Sequence, residues 1–153
     1  KQQSLTVLVD GITNAENMGV IARNCVCFEV DALIVLSSSC DPYLRRSVRN
    51  SMGNIFQLPI VYVSDFKTEI GRMKNAGIKL YAAHPRGDSN DLPDVKFPHK
   101  TCIVLGAEGT GISNEVLHLC DEFVSIPMRK GIDSLNVASA SAVMLYEARK
   151  NIF

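Results

Sequence analysis

The stretch Ile103-Val104-Leu105-Gly106-Ala107-Glu108-Gly109-Thr110-Gly111 decides how the rest of this sequence is read. A short apolar run that halts at a glycine-bearing loop is the pattern of a buried strand feeding a turn. A second unit of the same kind follows, where Val124-Ser125-Ile126 runs into Pro127 and the loop Met128-Arg129-Lys130-Gly131-Ile132-Asp133. Ser134-Leu135-Asn136 then opens a long helix of small residues that extends to Glu147. Two such loops at the ends of two parallel strands, with a helix start facing them, frame a pocket bordered by backbone N–H and C=O groups. The functional site is expected there.

Toward the N-terminus, Leu5–Val9 is a buried strand ending at Asp10-Gly11. Thr13, Asn14 and Asn17 are each able to cap the helix that follows, which runs to about Phe28. Ala32–Leu36 is the next strand, residues 37–42 a loop, and Tyr43–Met52 a helix carrying Arg45, Arg46 and Arg49. Leu58–Val63 is a strand with a proline near its start, and Ser64-Asp65 caps a helix through about Asn75 that Gly77 closes. Ile78–Ala83 is a strand, and His84–Lys100, with three prolines, is a polar loop. Strands alternating with helices, without hairpin turn signals, predict one α/β domain over residues 1–153, its sheet mostly parallel and covered on both faces.

Composition narrows the function classes. Hydrophobic residues make up 46% and charged residues 21%, which suits a chain with a packed core and excludes a disordered or fibrous one. No apolar run is long enough to span a bilayer, and no secretory signal pattern opens the chain. Lys1-Gln2-Gln3 reads as the cut end of a longer polypeptide. The five cysteines are odd in number and lie mostly in apolar elements, as reduced core thiols of a cytoplasmic protein do. Cys25-x-Cys27 has no second ligand pair at zinc spacing, so no metal is expected. Formal net charge is zero. A nucleic-acid partner would have to be held by a local patch, a second subunit or a further domain. Arg45, Arg46 and Arg49 are either that patch or a solvated helix face.

Three segments together resemble the SpoU/TrmH branch of the SPOUT RNA methyltransferases. They are Asn17-Met18-Gly19-Val20-Ile21-Ala22-Arg23, then Leu105 to Ser113, then Ile126-Pro127-Met128 with Gly131 and Ser134-Leu135-Asn136-Val137-Ala138. Arg49-Asn50-Ser51-Met52-Gly53-Asn54-Ile55-Phe56 looks like the middle R-x-S-x-G segment of that family. The segments occur in the family's order and spacing over nearly the whole chain. Departures are small: Ala15 stands where proline is frequent, and Ala138-Ser139-Ala140 replaces a more usual Ser-Val-Ala. The small N-terminal RNA-binding domain of many relatives is not represented, which leaves substrate choice open.

The resemblance implies methyl transfer from S-adenosylmethionine to a ribose 2′-hydroxyl of tRNA or rRNA, by a homodimer whose C-terminal trefoil knot builds the cofactor pocket. It implies Gly106, Ile126 and Leu135 as cofactor contacts, with Gly109, Met128, Ala83 and Ala138 as further wall residues. It implies Arg23, Asn17, Glu108, Ser134 and Asn136 as the catalytic set. A guanidinium, with its pKa above ~12, is a poor general base unaided, so Arg23 either orients a phosphate and stabilises the developing oxyanion or works through a phosphate that relays the proton. The residues themselves leave plainer readings open. Gly106–Gly111 also suits an ordinary strand-to-helix turn, Asn17, Ser134 and Asn136 suit helix caps, Arg23 a solvated helix face, and Glu108 a turn carboxylate. Rival functions are a non-catalytic RNA-binding or regulatory module on the same fold, and a flavodoxin-like nucleotide or receiver domain. The last wants clustered acids at early strand ends, where only Asp10 is found.

Overall fold

In the computed structural model, Ser4–Asp10 (β1) is apolar on both sides, with Leu5, Val7, Leu8 and Val9 at zero exposure. Such a strand must lie at the centre of a sheet covered on both faces. It does: β1 pairs in parallel with Ala32–Leu36 (β2) on one side and Lys100–Gly106 (β6) on the other. The remaining strands are Ile60–Val63 (β3), Lys79–Ala83 (β4), Asn90–Asp91 (β5) and Glu122–Ser125 (β7). The order β3-β2-β1-β6-β4-β7-β5 makes one seven-stranded, wholly parallel sheet. Residues 2–85, 87–132 and 134–153 are described. Lys1 of the expected cut end, Arg86 of the His84–Lys100 loop and Asp133 of the loop after Met128 lie outside the described residues.

The pleat sorts side chains between two cores. Leu5, Val7, Val9, Leu33, Val35, Ile103 and Leu105 face the helices Ala15–Cys27 (α1) and Val137–Ile152 (α5), meeting Ile21, Met144 and Leu145. Leu8, Ile34, Cys102 and Val104 face the helices Phe66–Asn75 (α3) and Asn114–Leu117 (α4), meeting Ile70, Met73 and Val116. The small-residue stripe of α5, Val137, Ser141, Met144, Leu145 and Ala148, is buried.

Local chemistry sets the helix ends. Asn14 caps α1, its side chain accepting from the Asn17 N–H at 2.9 Å, so Asn17 is not the cap. Asp65 caps α3 through the Thr68 N–H at 3.1 Å. Asn136 caps α5, accepting from the Ala138 and Ser139 N–H groups at 2.9 and 3.3 Å, so the helix begins at Val137 and Ser134 lies ahead of it.

Three expectations need correction. The helix expected over Tyr43–Met52 is confined to Arg45–Asn50 (α2), because Met52 and Gly53 turn left-handed at φ +55° and +76° and start a 3₁₀ turn over Asn54–Gln57. The strand expected from Leu58 starts at Ile60; Leu58 closes that turn, and Pro59 has no N–H to give the ladder. The polar loop His84–Lys100 contains β5 and a 3₁₀ turn over Leu92–Asp94, and it buries Leu92, Val95 and Phe97. Phe97 packs edge-on against Tyr81 with centroids 4.8 Å apart, a long-range contact that local polarity conceals. Among the described residues, no helix is long and apolar enough to cross a membrane.

Candidate active site at the carboxyl edge of the sheet

Strand order reverses between β1 and the β6-β4-β7 half, and open α/β sheets bind ligands beyond the strand ends at such a switch. A cavity of about 560 Å³ lies there. Ala83 and His84 border it from the end of β4, Leu105–Gly111 from the end of β6, and Val124–Ile126 with Met128 from the end of β7. Ser134, Leu135, Val137, Ala140 and Met144 close it from α5 and the segment before it. Most of these side chains are apolar or small. Met128 and Leu135 are 37% and 39% exposed, leaving apolar surface for a ligand to cover.

The glycine loop is built differently from a loop that simply bares its backbone. A Cβ placed on Gly106 would lie 2.2 Å from the Ile112 nitrogen and 2.4 Å from the Gly111 carbonyl carbon. Gly106 is therefore required because its own loop folds back over it. The Gly111 N–H donates to the Ala107 carbonyl at 2.8 Å, and Gly109 and Gly111 take φ of +82° and +69°. Asp10 holds the far end. It sits beside Gly106 in the β1–β6 register, is 5% exposed, and accepts from the Ser113 N–H and the Ser38 hydroxyl at 2.8 Å each.

A polar chain edges the cavity. Glu108 accepts from the Asn136 side-chain amide at 2.5 Å and from the Val137 N–H at 3.2 Å. The same amide donates to the Asn17 side-chain oxygen at 3.1 Å. A carboxylate at the start of α5 also meets the favourable end of the helix dipole. Asn24, two turns along α1, donates to the Ala138 carbonyl at 3.0 Å and to the Ser141 hydroxyl at 2.9 Å, fixing α1 against α5.

The fold thus brings together Gly106, Gly109, Glu108, Ile126, Met128, Ala83, Ser134 and Leu135 on one cavity, with Asn136 and Asn17 joined to Glu108 at its edge. It does not bring Ala138 to the wall: that residue lies outside the cavity lining and packs in the core. Arg23 is exposed, lies outside the cavity lining, and has no hydrogen bond or ion pair among the described residues. It stands roughly 9 Å along the helix axis from Asn17. Gly19 serves packing, since a Cβ there would lie 2.3 Å from the Ser47 carbonyl oxygen of α2. Arg45, Arg46 and Arg49 are exposed on α2, away from the cavity lining, and Arg46 pairs with Glu16 at 2.5 Å. Sequence reasoning missed His84, Val137, Ala140 and Met144 as lining residues. The signal for the last three was present, as they recur at helical spacing on one face of α5.

Residues 4–146 match the SpoU rRNA Methylase family. The chain is 37% identical over 147 residues to an uncharacterized tRNA/rRNA methyltransferase of Mycobacterium tuberculosis, covering 94% of this chain and 51% of that protein. It is 37% identical over 154 residues to a 23S rRNA (uridine(2479)-2′-O)-methyltransferase of Streptomyces viridochromogenes, covering 97% of this chain and 53% of that one. The crystal structure of the SpoU methyltransferase AviRb from Streptomyces viridochromogenes in complex with AdoMet superposes with a TM-score of 0.89 at 37% identity, covering 98% of this chain and 61% of that chain. The chain spans about half the length of the curated relatives it matches. With the match running from β1 into α5, through the glycine loop and both other loops of the cavity, the chain belongs to the SpoU rRNA methylase family.

Proposed function

We propose that this chain is the catalytic part of a ribose 2′-O-methyltransferase that binds S-adenosylmethionine in the cavity and modifies tRNA or rRNA in the cytoplasm. The observation that carries the reading is the convergence of three family segments on one apolar cavity edged by Glu108, Asn136 and Asn17. The cavity suits the cofactor. Its volume falls in the range of small-molecule sites. Ile126, Met128 and Leu135 offer apolar surface for an adenine ring, and the backbones of the three loops offer hydrogen-bonding groups to its edge. Bound there, the cofactor supplies an electrophilic methyl group.

In the reaction, the ribose 2′-oxygen would form a bond to the methyl carbon as the carbon–sulfur bond breaks to leave a neutral thioether, and the hydroxyl proton would pass to water. The chain's own residues provide position and polarity. Glu108 holds Asn136 and the first turn of α5 in place, and Asn136 with Ser134 lies where the sugar enters. Arg23 orients a substrate phosphate and stabilises negative charge on the 2′-oxygen. Because Arg23 lies off the cavity of its own chain, a homodimer is the arrangement we infer, with the guanidinium of one copy serving the cavity of the other. Exposed apolar residues on α5 and beside the cavity, Val143, Tyr146 and Ile132, support that pairing. The return of α5 from β7, past β4 and β6, to pack on β1 and α1 supports the trefoil knot.

The deciding experiment incubates the protein with an RNA pool and a methyl-labelled donor, then looks for 2′-O-methylribose in the digested nucleosides. Transfer is expected. Arg23→Ala and Arg23→Lys should both keep S-adenosylhomocysteine affinity within a few-fold by calorimetry and lose most turnover, since an ammonium lacks the bidentate fork. Cofactor binding without transfer to any RNA would favour the non-catalytic module, and parallel loss of binding and turnover in Arg23→Ala would make Arg23 structural.

A further inference from the structure

We propose that Tyr43 and Phe56 form a stacking platform for an unpaired base of the RNA, outside the cavity, with Arg45 and Arg49 receiving the adjoining phosphates. The proposal rests on the methyltransferase reading for the class of partner and on the geometry of the β2–β3 connection for the site. The two rings stack with centroids 6.1 Å apart and planes at 28°, yet they are 43% and 70% exposed. An aromatic pair that packs on itself and leaves its outer faces to water is unusual for a protein surface.

Its exposure is built in. Met52 and Gly53 turn left-handed and throw the chain back across α2, so that Phe56 reaches Tyr43. Ile55, the preceding residue, is fully buried and its N–H donates to the Ser51 hydroxyl at 3.4 Å, anchoring the turn while Phe56 points out. On the other side, Asp41 accepts from the Tyr43 N–H at 2.9 Å and from the hydroxyl of exposed Tyr62 at 2.8 Å. The backbone that carries each ring is therefore anchored, which lowers the entropy lost when a flat ligand settles on the pair.

The charge around the rings selects the occupant. The segment joining them is α2, which carries three arginines and no acidic residue. Arg46 is paired with Glu16, whereas Arg45 and Arg49 are exposed and enter no ion pair among the described residues. Over residues 41–56 three arginines stand against the single carboxylate of Asp41, a local cationic excess in a chain of zero net charge, on the segment that carries both rings. Rings for bases and guanidinium forks for phosphates are the makings of a single-strand RNA groove. Position fits as well. The segment leading to Tyr43 leaves β2 at the carboxyl edge of the sheet, the edge that bears the cavity. Only β1 separates β2 from β6, a span of about 10 Å at ~4.8 Å per strand, which a neighbouring stretch of the same RNA strand bridges.

The test uses fluorescence polarisation with a labelled, mixed-sequence single-stranded RNA of about twelve nucleotides, within the usual site sizes for such grooves. Tyr43→Ala/Phe56→Ala should bind about tenfold more weakly with an unchanged salt slope. Arg45→Gln/Arg49→Gln should reduce the slope of log affinity against log salt by about 1.4, the value for two phosphates. The chain has no tryptophan, so Phe56→Trp gives a single reporter that keeps the stacking face. Its affinity should match the wild type, and its emission should be quenched on RNA addition. An unmoved Phe56→Trp spectrum at saturating RNA, or unchanged affinity in the double alanine variant, overturns the platform. So does a change of oligomeric state in that variant by sedimentation, which would make the patch an interface between copies. Calorimetry with S-adenosylhomocysteine on each variant reports the cavity separately: no cofactor binding in the wild type defeats the enzyme reading, and retained binding in the double alanine variant shows that it is folded.

Discussion

Gly106→Ala is the sharpest perturbation of the site that the structure offers. The added methyl group would sit 2.2 Å from the Ile112 nitrogen and 2.4 Å from the Gly111 carbonyl carbon, both backbone atoms that cannot rotate away. Ordinary contact begins at 3.4 Å, so the loop must retreat by about 1.2 Å from β6. That retreat strains two bonds that hold the loop, Gly111 N–H to the Ala107 carbonyl and Ser113 N–H to Asp10. Overpacking costs about 1–3 kcal/mol, and each weakened bond costs about 1 kcal/mol. A destabilisation of about 3 kcal/mol is expected, or a fall of roughly 6–12 °C in Tm for a chain of this size. S-adenosylhomocysteine affinity should drop by about tenfold or more, because a wall of the cavity has moved by an ångström. Gly71→Ala is the control. It makes the same chemical change in α3, where nothing lies within 4 Å of the new Cβ, and should raise stability by about 0.5–1 kcal/mol. Urea unfolding followed by circular dichroism, with ligand calorimetry, measures both. If Gly106→Ala unfolds at the wild-type urea concentration, the fold-back account of the glycine loop is wrong.

Three further outcomes follow from single contacts. Gly19→Ala should destabilise by about 2–3 kcal/mol, because its Cβ meets the Ser47 carbonyl oxygen and forces α2 off α1; a neutral result in urea would mean the helices slide apart freely. Asp10→Ala removes the acceptor for both Ser38 and Ser113 and should cost about 2–4 kcal/mol, while Asp10→Asn keeps one acceptor and should cost about half as much, read from the same urea curves. Burial pushes the Cys102 thiol up from 9.0 to about 12, so folding favours its protonated form. That contribution is complete below pH 9 and is lost as pH rises toward about 12, so Cys102→Ala should flatten the fall in stability above pH 9; an identical slope in both proteins would refute it.

Much of the architecture was legible along the chain because it depends on near neighbours. Leu5–Val9, Ala32–Leu36 and Ile103–Leu105 are apolar on both pleat faces, which a residue-by-residue reading detects and which only a covered parallel sheet accommodates. Asp65 and Asn136 act on N–H groups two or three residues away, within reach of local reasoning. The glycine loop, the Ile126–Met128 loop and the start of α5 were placed at one site because each follows a strand end or opens a helix, and parallel strands put all such points on one edge.

What only the tertiary structure decided depends on partners far away in sequence. The strand order, the burial of Phe97 on Tyr81 and the pairing of Asn17 with Asn136, which lies 119 residues on, are set by packing that no local window contains. Gly19 and Arg23, four residues apart, share one face of α1, but the distance from that face to the cavity, and the inward turn of Ala138, depend on how α1 and α5 lean on the sheet. Gly106 shows the division within one residue. The sequence placed Gly106 where a strand runs into a loop, and only the folded chain supplied the reason for a glycine, since the space a side chain would occupy is filled by the backbone of Gly111 and Ile112.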